Sequence, residues 1–519
     1  MHLRDYQTDA VARIHEAWLF HNSVMAVLAT GLGKTIIFSE IARRWTRGRV
    51  LVSVPQIELI EQAAAKIFAA TGHTPAIEQG QRRSLESSFY RSPYVVGSKQ
   101  SFASRQKDGR RRFERFEDVG LVVVDECHGA TTAEYKELID HFAARGAQVL
   151  GVTATPKRHD GLAMANVFEA CAYQLDICQA VPLGWLVPAQ AQCVQLQSLD
   201  LSAVKTNREG DFNAKQLERV MEEEKVVYEI AEVTARESGR LKTAVFCASV
   251  AEARAVAELL VDRYRLKADF VCGDKLLCDD VRRREVLDSF TQDADGVQIV
   301  CNVGVLTQGW DFPGLEHLVI ARPTRSLTLY TQIFGRATRP LPGVVDFVDS
   351  TPELRRAAIA SSAKPHFKVT DLRDNALQHK LVTAVDVLGG AMGIEVVNRA
   401  KAAINKAGGP LDLEQVLADA RHAEEAAQLE RERRQRAAIE ARAAYRKVDV
   451  DPFDPYQRGG VEAPRPSAKG PRMLFGKYKG QPLSAVPAGY LTWLLSTNMR
   501  EGWFKQAVRA EVHARRVKA

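Results

Sequence analysis

The chain lacks most of what marks a secreted or membrane protein. Its 519 residues hold eight scattered cysteines and no C-x-x-C pair. Cys171/Cys178 and Cys272/Cys278 are too widely spaced to read as a zinc clip. Reduced thiols in a cytoplasm are the simplest account, and a cytoplasmic location is expected. No run of about 18 apolar residues is present to span a bilayer. The apolar stretch Val24–Ala29 runs straight into a glycine loop, so no signal peptide is expected to open the chain. Charge of one sign is not in large excess, because a net +7 is mild for this length. It permits a polyanionic partner without requiring one. No acidic cluster of nuclease type is visible.

What remains is ordinary globular material, 46% hydrophobic and 26% charged, long enough for several buried cores. From Met1 to about Thr155, "RVLVSV" (Arg49–Val54), "YVVG" (Tyr94–Gly97), "LVVVD" (Leu121–Asp125) and "QVLGVT" (Gln148–Thr153) are short apolar runs bounded by turns or charge. Such runs suit strands buried on both faces of a parallel sheet. Helical stretches such as Lys34–Trp45 and Gln56–Ala70 lie between them. After "GWLVP" (Gly184–Pro188) the alternation restarts with "TAVFC", "ADFVC", "VQIVC", "HLVIA" and "VVDFV" (Val344–Val348). The expected fold class is α/β, two tandem domains with parallel sheets flanked by helices. They are placed at 1–182 and 183–350. A helical region is expected over 351–450, including a solvated helix at Arg421–Lys447 with i,i+4 ion pairs. A Pro/Gly-rich linker over 451–472 and a small module over 473–519 follow.

The stretch "ATGLGKT" (Ala29–Thr35) follows an apolar run and opens a helical one. A phosphate cradle needs glycines that let backbone N–H groups point inward, and a helix N-terminus that favours anions. Gly31 and Gly33, with Thr30 and Leu32 before and between them, meet the first need. Lys34 is expected to reach the β- and γ-phosphates, and Thr35 to place its hydroxyl on Mg²⁺. A glycine usually leads this pattern, where the chain has Leu28. A second piece, "LVVVDECHG", puts Asp125 and Glu126 directly after four apolar residues. Asp125 is expected to hold the metal and Glu126 to orient and deprotonate the attacking water. A surface acidic turn is the bland alternative, and the upstream loop argues against it.

With both pieces in hand, D-E-C-H resembles the DEAD/DEAH box of superfamily two helicases. In that superfamily the leading glycine is commonly another residue, so Leu28 is no objection. The resemblance covers about residues 3–350 and implies RecA-like domains that bind ATP and Mg²⁺. "LRDYQ" resembles the adenine-reading motif, which gives Gln7, Arg4 and Tyr6 that role. "SVPQIELIEQ" and "VVGSKQSF" stand where the family grips one strand's phosphates, which implicates Gln56, Gly97, Ser98 and Gln100. "TATP" resembles the motif that couples ATP to nucleic acid through Thr153 and Thr155, and His128 stands at a position used for interdomain coupling. "VGVLTQGWDFP" resembles the fifth motif, with Thr307 toward nucleic acid and Gly309 and Asp311 toward nucleotide. "QIFGRATR" resembles the sixth, with Gln332, Arg336 and Arg339. These arginines come from the second domain, so they reach the γ-phosphate only when the domains close.

"GVTATPKRHDGL" and the "GWLVP" linker are similar to the branch with type I and III restriction motors and RadD-like and XPB-like helicases. RadD-like proteins tend to carry a C-terminal cysteine cluster, which is missing here. The resemblance implies a DNA helicase or duplex translocase used in replication, recombination or repair, acting as a monomer or weak oligomer. An RNA helicase and an ATP-gated clamp that does not travel are the rivals. His159 and Asp160, just past the third motif, read as structural. The module at Phe475–Leu495 is similar to one at the end of some exonucleases and phage proteins. Its core is expected to hold Tyr490, Trp493 and Leu494, and its alternating basic and aromatic residues suit nucleic acid.

Overall fold

Apolar runs buried on both faces build two parallel sheets, and the way the strands line up decides where the functional side chains emerge. A computed structural model describes residues 3–57, 59–84, 92–129, 132–154, 164, 166–207, 210–292, 295–307, 310–346, 351–374, 381–390, 392–448, 471–473, 477–496 and 503–518. Within them the chain divides into two compact units, Met1–Glu430 and Arg431–Ala519.

The larger unit contains two lobes. The first sheet comprises β1 (Ser23–Leu28), β2 (Arg49–Val54), β3 (Ala76–Glu78), β4 (Tyr94–Ser98), β5 (Val119–Asp125), β6 (Gln148–Thr153) and β7 (Ala170–Leu175), in the order β3-β4-β2-β5-β6-β1-β7. Every pair in it is parallel. Register matters here: Asp125 lies opposite Val152, and Thr153 lies opposite Val27. The end of β5, the end of β6 and the glycine loop after β1 therefore emerge at one level, at the carboxyl edge where open α/β sheets bind ligands.

The second sheet comprises β8 (Ala189–Gln195), β9 (Thr243–Phe246), β10 (Ala268–Val271), β11 (Ile299–Asn302), β12 (His317–Ile320), β13 (Phe367–Arg373) and β14 (Leu411–Asp412). Its order is β10-β11-β9-β12-β13-β8-β14, parallel except for the short β14. The doubly wound reading of both lobes is thus observed, and the four apolar runs expected as strands in the first lobe are strands.

The sheet corrects the boundary drawn at residue 350. β13 sits between β12 and β8, inside the segment expected to be helical. Its sequence FKVTDLR hides the strand because buried polar side chains interrupt the apolar pattern. Each finds a partner: Thr370 Oγ1 lies 2.9 Å from His317 Nε2, and the buried Asp371 accepts from the Tyr330 hydroxyl at 2.6 Å. Helix Pro352–Ala360 precedes it in the chain, and helices Ala384–Leu388 and Ile394–Lys406 follow it. Conversely, Val344–Asp346 of the expected run "VVDFV" is not a strand, and its last residues fall outside the described set. The charged stretch at Arg421 belongs to a helix, Leu413–Val448.

The smaller unit has its own core of Met473, Leu483, Val486, Leu491, Leu494, Phe504 and Val508. Leu494 is inside as expected. Trp493 is not: it is 48% exposed and stands beside Tyr490 at 5.3 Å.

One buried acid in the second lobe gives a test of this packing. Glu252 closes a capping box at the start of helix Val250–Asp262, accepting from the Ala248 N–H at 2.8 Å and the Ser249 N–H at 3.3 Å. Burial pushes its carboxyl up to about 8. The folded state then binds more protons than the unfolded chain between the ordinary carboxylate range and that value, so stability falls as pH rises through this window. Glu252→Gln keeps the acceptor and removes the titration. Its thermal midpoint is expected to vary less with pH and to exceed the parent's above about pH 8, measured by calorimetry across pH.

Candidate active site

The loop after β1 is built around two left-handed glycines, Gly31 at φ 95° and Gly33 at φ 73°. Gly33 caps helix Lys34–Arg44. A Cβ at Gly31 would stand 3.0 Å from Arg339 Cγ, and one at Gly33 would stand 2.8 Å from Gln7 Nε2. Both positions therefore need glycine for conformation and for space. Thr30 and Leu32 are buried beneath the loop. Gln7 Nε2 donates to the Leu32 carbonyl at 3.2 Å, and the Tyr6 hydroxyl donates to it at 3.0 Å. Gln7 Oε1 accepts from the Arg4 N–H at 3.0 Å. Gln7 thus braces the loop, while Arg4 pairs with Asp346 and stands over the Trp185 ring.

Lys34 Nζ lies 3.3 Å from Glu126 Oε1, and His128 Nδ1 lies 3.2 Å from Glu126 Oε2. His128 Nδ1 is also 3.3 Å from the Thr153 hydroxyl. Four side chains from three motifs form one polar chain. Glu126 has φ 48°, a left-handed conformation that costs a non-glycine residue about 1 kcal/mol or more. Its N–H is satisfied by Asp125 Oδ1 at 2.9 Å. The two carboxyls diverge. Burial pushes Asp125 up to about 7, with the Glu126 charge adding to it. Burial works against ionised Glu126 as well, yet Lys34 and His128 hold it well below the usual carboxylate range.

From the second lobe, Arg336 reaches the same place. Its Nε and Nη2 donate to the Thr307 carbonyl at 3.2 and 2.6 Å, and its Nη1 donates to the Trp310 carbonyl. Arg339 pairs with Asp311. Burial lowers both guanidiniums to about 10, so both stay charged at neutral pH. The lobes touch closely here. A Cβ on Gly335 would lie 2.5 Å from Thr30 Cβ, and the Thr338 hydroxyl donates to the Thr30 carbonyl at 3.5 Å. The resulting cavity is about 340 Å³, lined by Lys34, Thr35, Asp125 and Glu126 from one lobe and by Asp311, Arg336 and Arg339 from the other.

Residues 1–158 match the family described as type III restriction enzyme, res subunit, and residues 223–340 match the helicase conserved C-terminal domain. The two lobes thus carry a restriction-res-type domain and a helicase C-terminal domain, the domain pair of superfamily-two helicases. Its sequence is 27% identical over 359 residues to a candidate ATP-dependent helicase, IRC3, of Saccharomyces cerevisiae, covering 65% of this chain and 49% of IRC3. It is 23% identical over 367 residues to the ATP-dependent DNA helicase uvsW of Enterobacteria phage T4, covering 66% and 68%. Among solved structures, a fragment of a candidate HsdR subunit of a type I restriction enzyme from Vibrio vulnificus YJ016 superposes with a TM-score of 0.52 at 21% identity. That match covers 75% of this chain and 67% of the fragment. The chain spans about half the length of the first curated relatives it matches.

Other expected site residues fall less simply. Gln332 is buried in helix Leu327–Phe334 and does not line the cavity. Thr155 and Gly309 lie outside the described residues, as do His159 and Asp160. On the side expected to meet nucleic acid, Gln56 and Gln100 are exposed, and Thr307 is half-buried with its carbonyl given to Arg336. Ser98 is fully buried, and its hydroxyl caps helix Lys99–Ala103, accepting from the Ser101 N–H at 3.1 Å. Gly97 is buried against the Glu78 carbonyl and the Phe102 ring, either of which a Cβ would meet at 2.8 Å.

Sequence reasoning missed Gln62, Lys66 and Trp310, which also line the cavity. It also missed Lys364, for which no local motif gives a signal. Lys364 is 2% exposed, and its ammonium donates to the Pro313 carbonyl at 2.7 Å and the Arg339 carbonyl at 2.9 Å. It therefore ties the end of the fifth motif to the second arginine of the sixth. Burial lowers its ammonium to about 7. Lys364→Met leaves two buried carbonyls unmet, at about 1–3 kcal/mol each. ATP turnover is expected to fall about tenfold or more as Arg339 loses its fixed carbonyl, read by steady-state ATPase with a thermal melt in parallel.

Proposed function

We propose that this protein is a DNA-dependent ATPase that works as a helicase or duplex translocase in replication, recombination or repair. The observation that supports it best is the convergence of Arg336 and Arg339 from one lobe on the cavity that holds Lys34 and Glu126 of the other. Phosphoryl transfer needs little covalent chemistry from protein, so position and charge carry the catalysis. ATP phosphates entering the glycine loop compete with Glu126 for the Lys34 ammonium. Once Lys34 turns to phosphate, Glu126 is released to orient water and accept its proton, with His128 still at its other oxygen. Arg336 and Arg339 then meet the charge that develops on the γ-phosphate, a contribution of about 10³–10⁵ in rate for arginines of this kind.

Mg²⁺ suits the donors present. Asp125 and the Thr35 hydroxyl line one cavity, and the Asp125 carboxyl is raised first by desolvation and then by the charge of Glu126. Hard oxygen donors in small number are what Mg²⁺ takes beside nucleotide phosphates. Asp125 and Thr35 would hold the ion, which would supply positive charge against the phosphates. His128 and Thr153 link Glu126 to the third motif, so hydrolysis and the grip on DNA share one set of contacts. Support for DNA over RNA comes from the restriction-subunit family match and from the DNA helicase named among the relatives.

Steady-state ATPase with single-stranded, duplex and forked DNA and with RNA tests this reading. Duplex or forked DNA is expected to stimulate turnover strongly. Lys34→Ala and Glu126→Gln are expected to lose at least about 10² of it. Stimulation by RNA alone would sink the DNA assignment. Binding tightened by ATP without turnover would replace the motor by a clamp.

A further inference from the structure

Between helix Lys99–Ala103 and β5 the chain reads SRQKDGRRRFER (Ser104–Arg115), with six basic residues against Asp108 and Glu114. No motif of the nucleotide site uses it. It folds as a tight hairpin: Arg105 pairs with Arg111 through the backbone, the Gln106 N–H donates to the Arg110 carbonyl at 2.8 Å, and the Gly109 N–H donates to the Gln106 carbonyl at 3.0 Å. Gly109 at φ 82° makes the turn possible.

The six cations divide by role. Arg111 donates to the Ala103 carbonyl and pairs with Glu137, both at 2.6 Å. Arg112 is 5% exposed, donates to the Gly80 carbonyl at 2.7 Å and pairs with Glu78 at 3.1 Å. These two pin the hairpin to the end of β3 and to helix Ala133–Ala143. Arg110 pairs with Asp108 at 3.5 Å. Arg105, Lys107 and Arg115 are exposed, and with half-buried Arg83 they line a shallow groove of about 580 Å³. Among the described residues lining it, Asp108 is the one carboxylate, and Arg110 pairs with it.

The groove stands at the β3 edge of the first sheet. The hairpin leaves directly from the helix that Ser98 caps at the carboxyl end of β4, the end at which the ATP loop also emerges. We propose that this groove binds the phosphate backbone of duplex DNA just beyond the stretch gripped by the motor lobes. The inference rests on the DNA reading of the preceding subsection. Several cations along an open groove suit a row of phosphates better than a single anion. A hairpin pinned by the ion pairs of Arg111 and Arg112 holds its exposed guanidiniums in place, so little ordering is needed on binding.

The test uses the full chain carrying Arg105→Ala, Lys107→Ala and Arg115→Ala together, all at exposed positions. A control chain carries Lys215→Ala, Arg240→Ala and Arg254→Ala, equally exposed on the second lobe. Binding of a long and a short duplex is followed by fluorescence anisotropy across salt concentrations, with DNA-stimulated ATPase alongside. On the long duplex the salt slope is expected to drop by about 0.9 for each phosphate that is no longer neutralised. Half-saturating DNA should rise about tenfold, with turnover at saturating DNA equal to the parent's. A duplex too short to leave the lobes should not distinguish variant from parent. An unchanged slope on long duplex, an equal weakening in the control chain, or an equal weakening on short duplex would each overturn the groove while leaving the motor intact. A parent chain that binds and answers to no nucleic acid would overturn both.

Discussion

Two guanidiniums held out of water between two lobes set the terms for the rest of the larger unit. Arg336 and Arg339 are lowered by burial yet remain charged, so each needs oxygen around it. Their present partners are the carbonyls of Thr307 and Trp310 and the carboxylate of Asp311, all from one loop of their own lobe. Phosphate oxygens are partners of the same kind with more charge. Gly335 stands close against Thr30 of the first lobe, and the buried ammonium of Lys364 holds the Arg339 carbonyl. The second sheet holds the loop and the helix that carry these groups against the first lobe. The arginines are thus held by their own lobe, while the cavity they line is shared by both.

The acidic pair at the end of β5 shows how little separates two roles. Asp125 and Glu126 are adjacent and half-buried alike, but the ion-pair contacts with Lys34 and His128 are made by Glu126. One carboxyl is pushed up and the other is held down. Glu126 holds these contacts from a left-handed backbone, φ 48°. Through His128 the same carboxylate touches Thr153 at the end of β6, so the nucleotide loop, the acidic motif and the third motif are continuous in space. Such a chain lets a change at the phosphates reach the rest of the lobe through direct contacts.

The first lobe was legible from sequence to an unusual degree, and so was the nucleotide loop. β2 and β4 are buried on both faces and read as unbroken apolar runs. The glycine loop declares itself because its chemistry is backbone chemistry over seven residues. β13 was not legible, since Lys368, Thr370, Asp371 and Arg373 break its pattern and are satisfied only by partners such as His317 and Tyr330. Ser98 stands within a phosphate-gripping motif and was read as a contact; the helix that follows claims its hydroxyl.

Sequence alone thus determined the two α/β lobes and the order of the motifs along the chain. Those properties depend on patterns within a few residues, where burial and backbone geometry act locally. Tertiary structure decided the rest: that Lys34 rests on Glu126, that Lys364 clamps Arg339 from behind, that Trp493 stands outside its small core, and that a run of arginines splits into anchors and an exposed groove. Each of these is settled by a partner far away in the chain. A charged side chain's role follows from which opposite charge or carbonyl reaches it first, and only the folded chain specifies that.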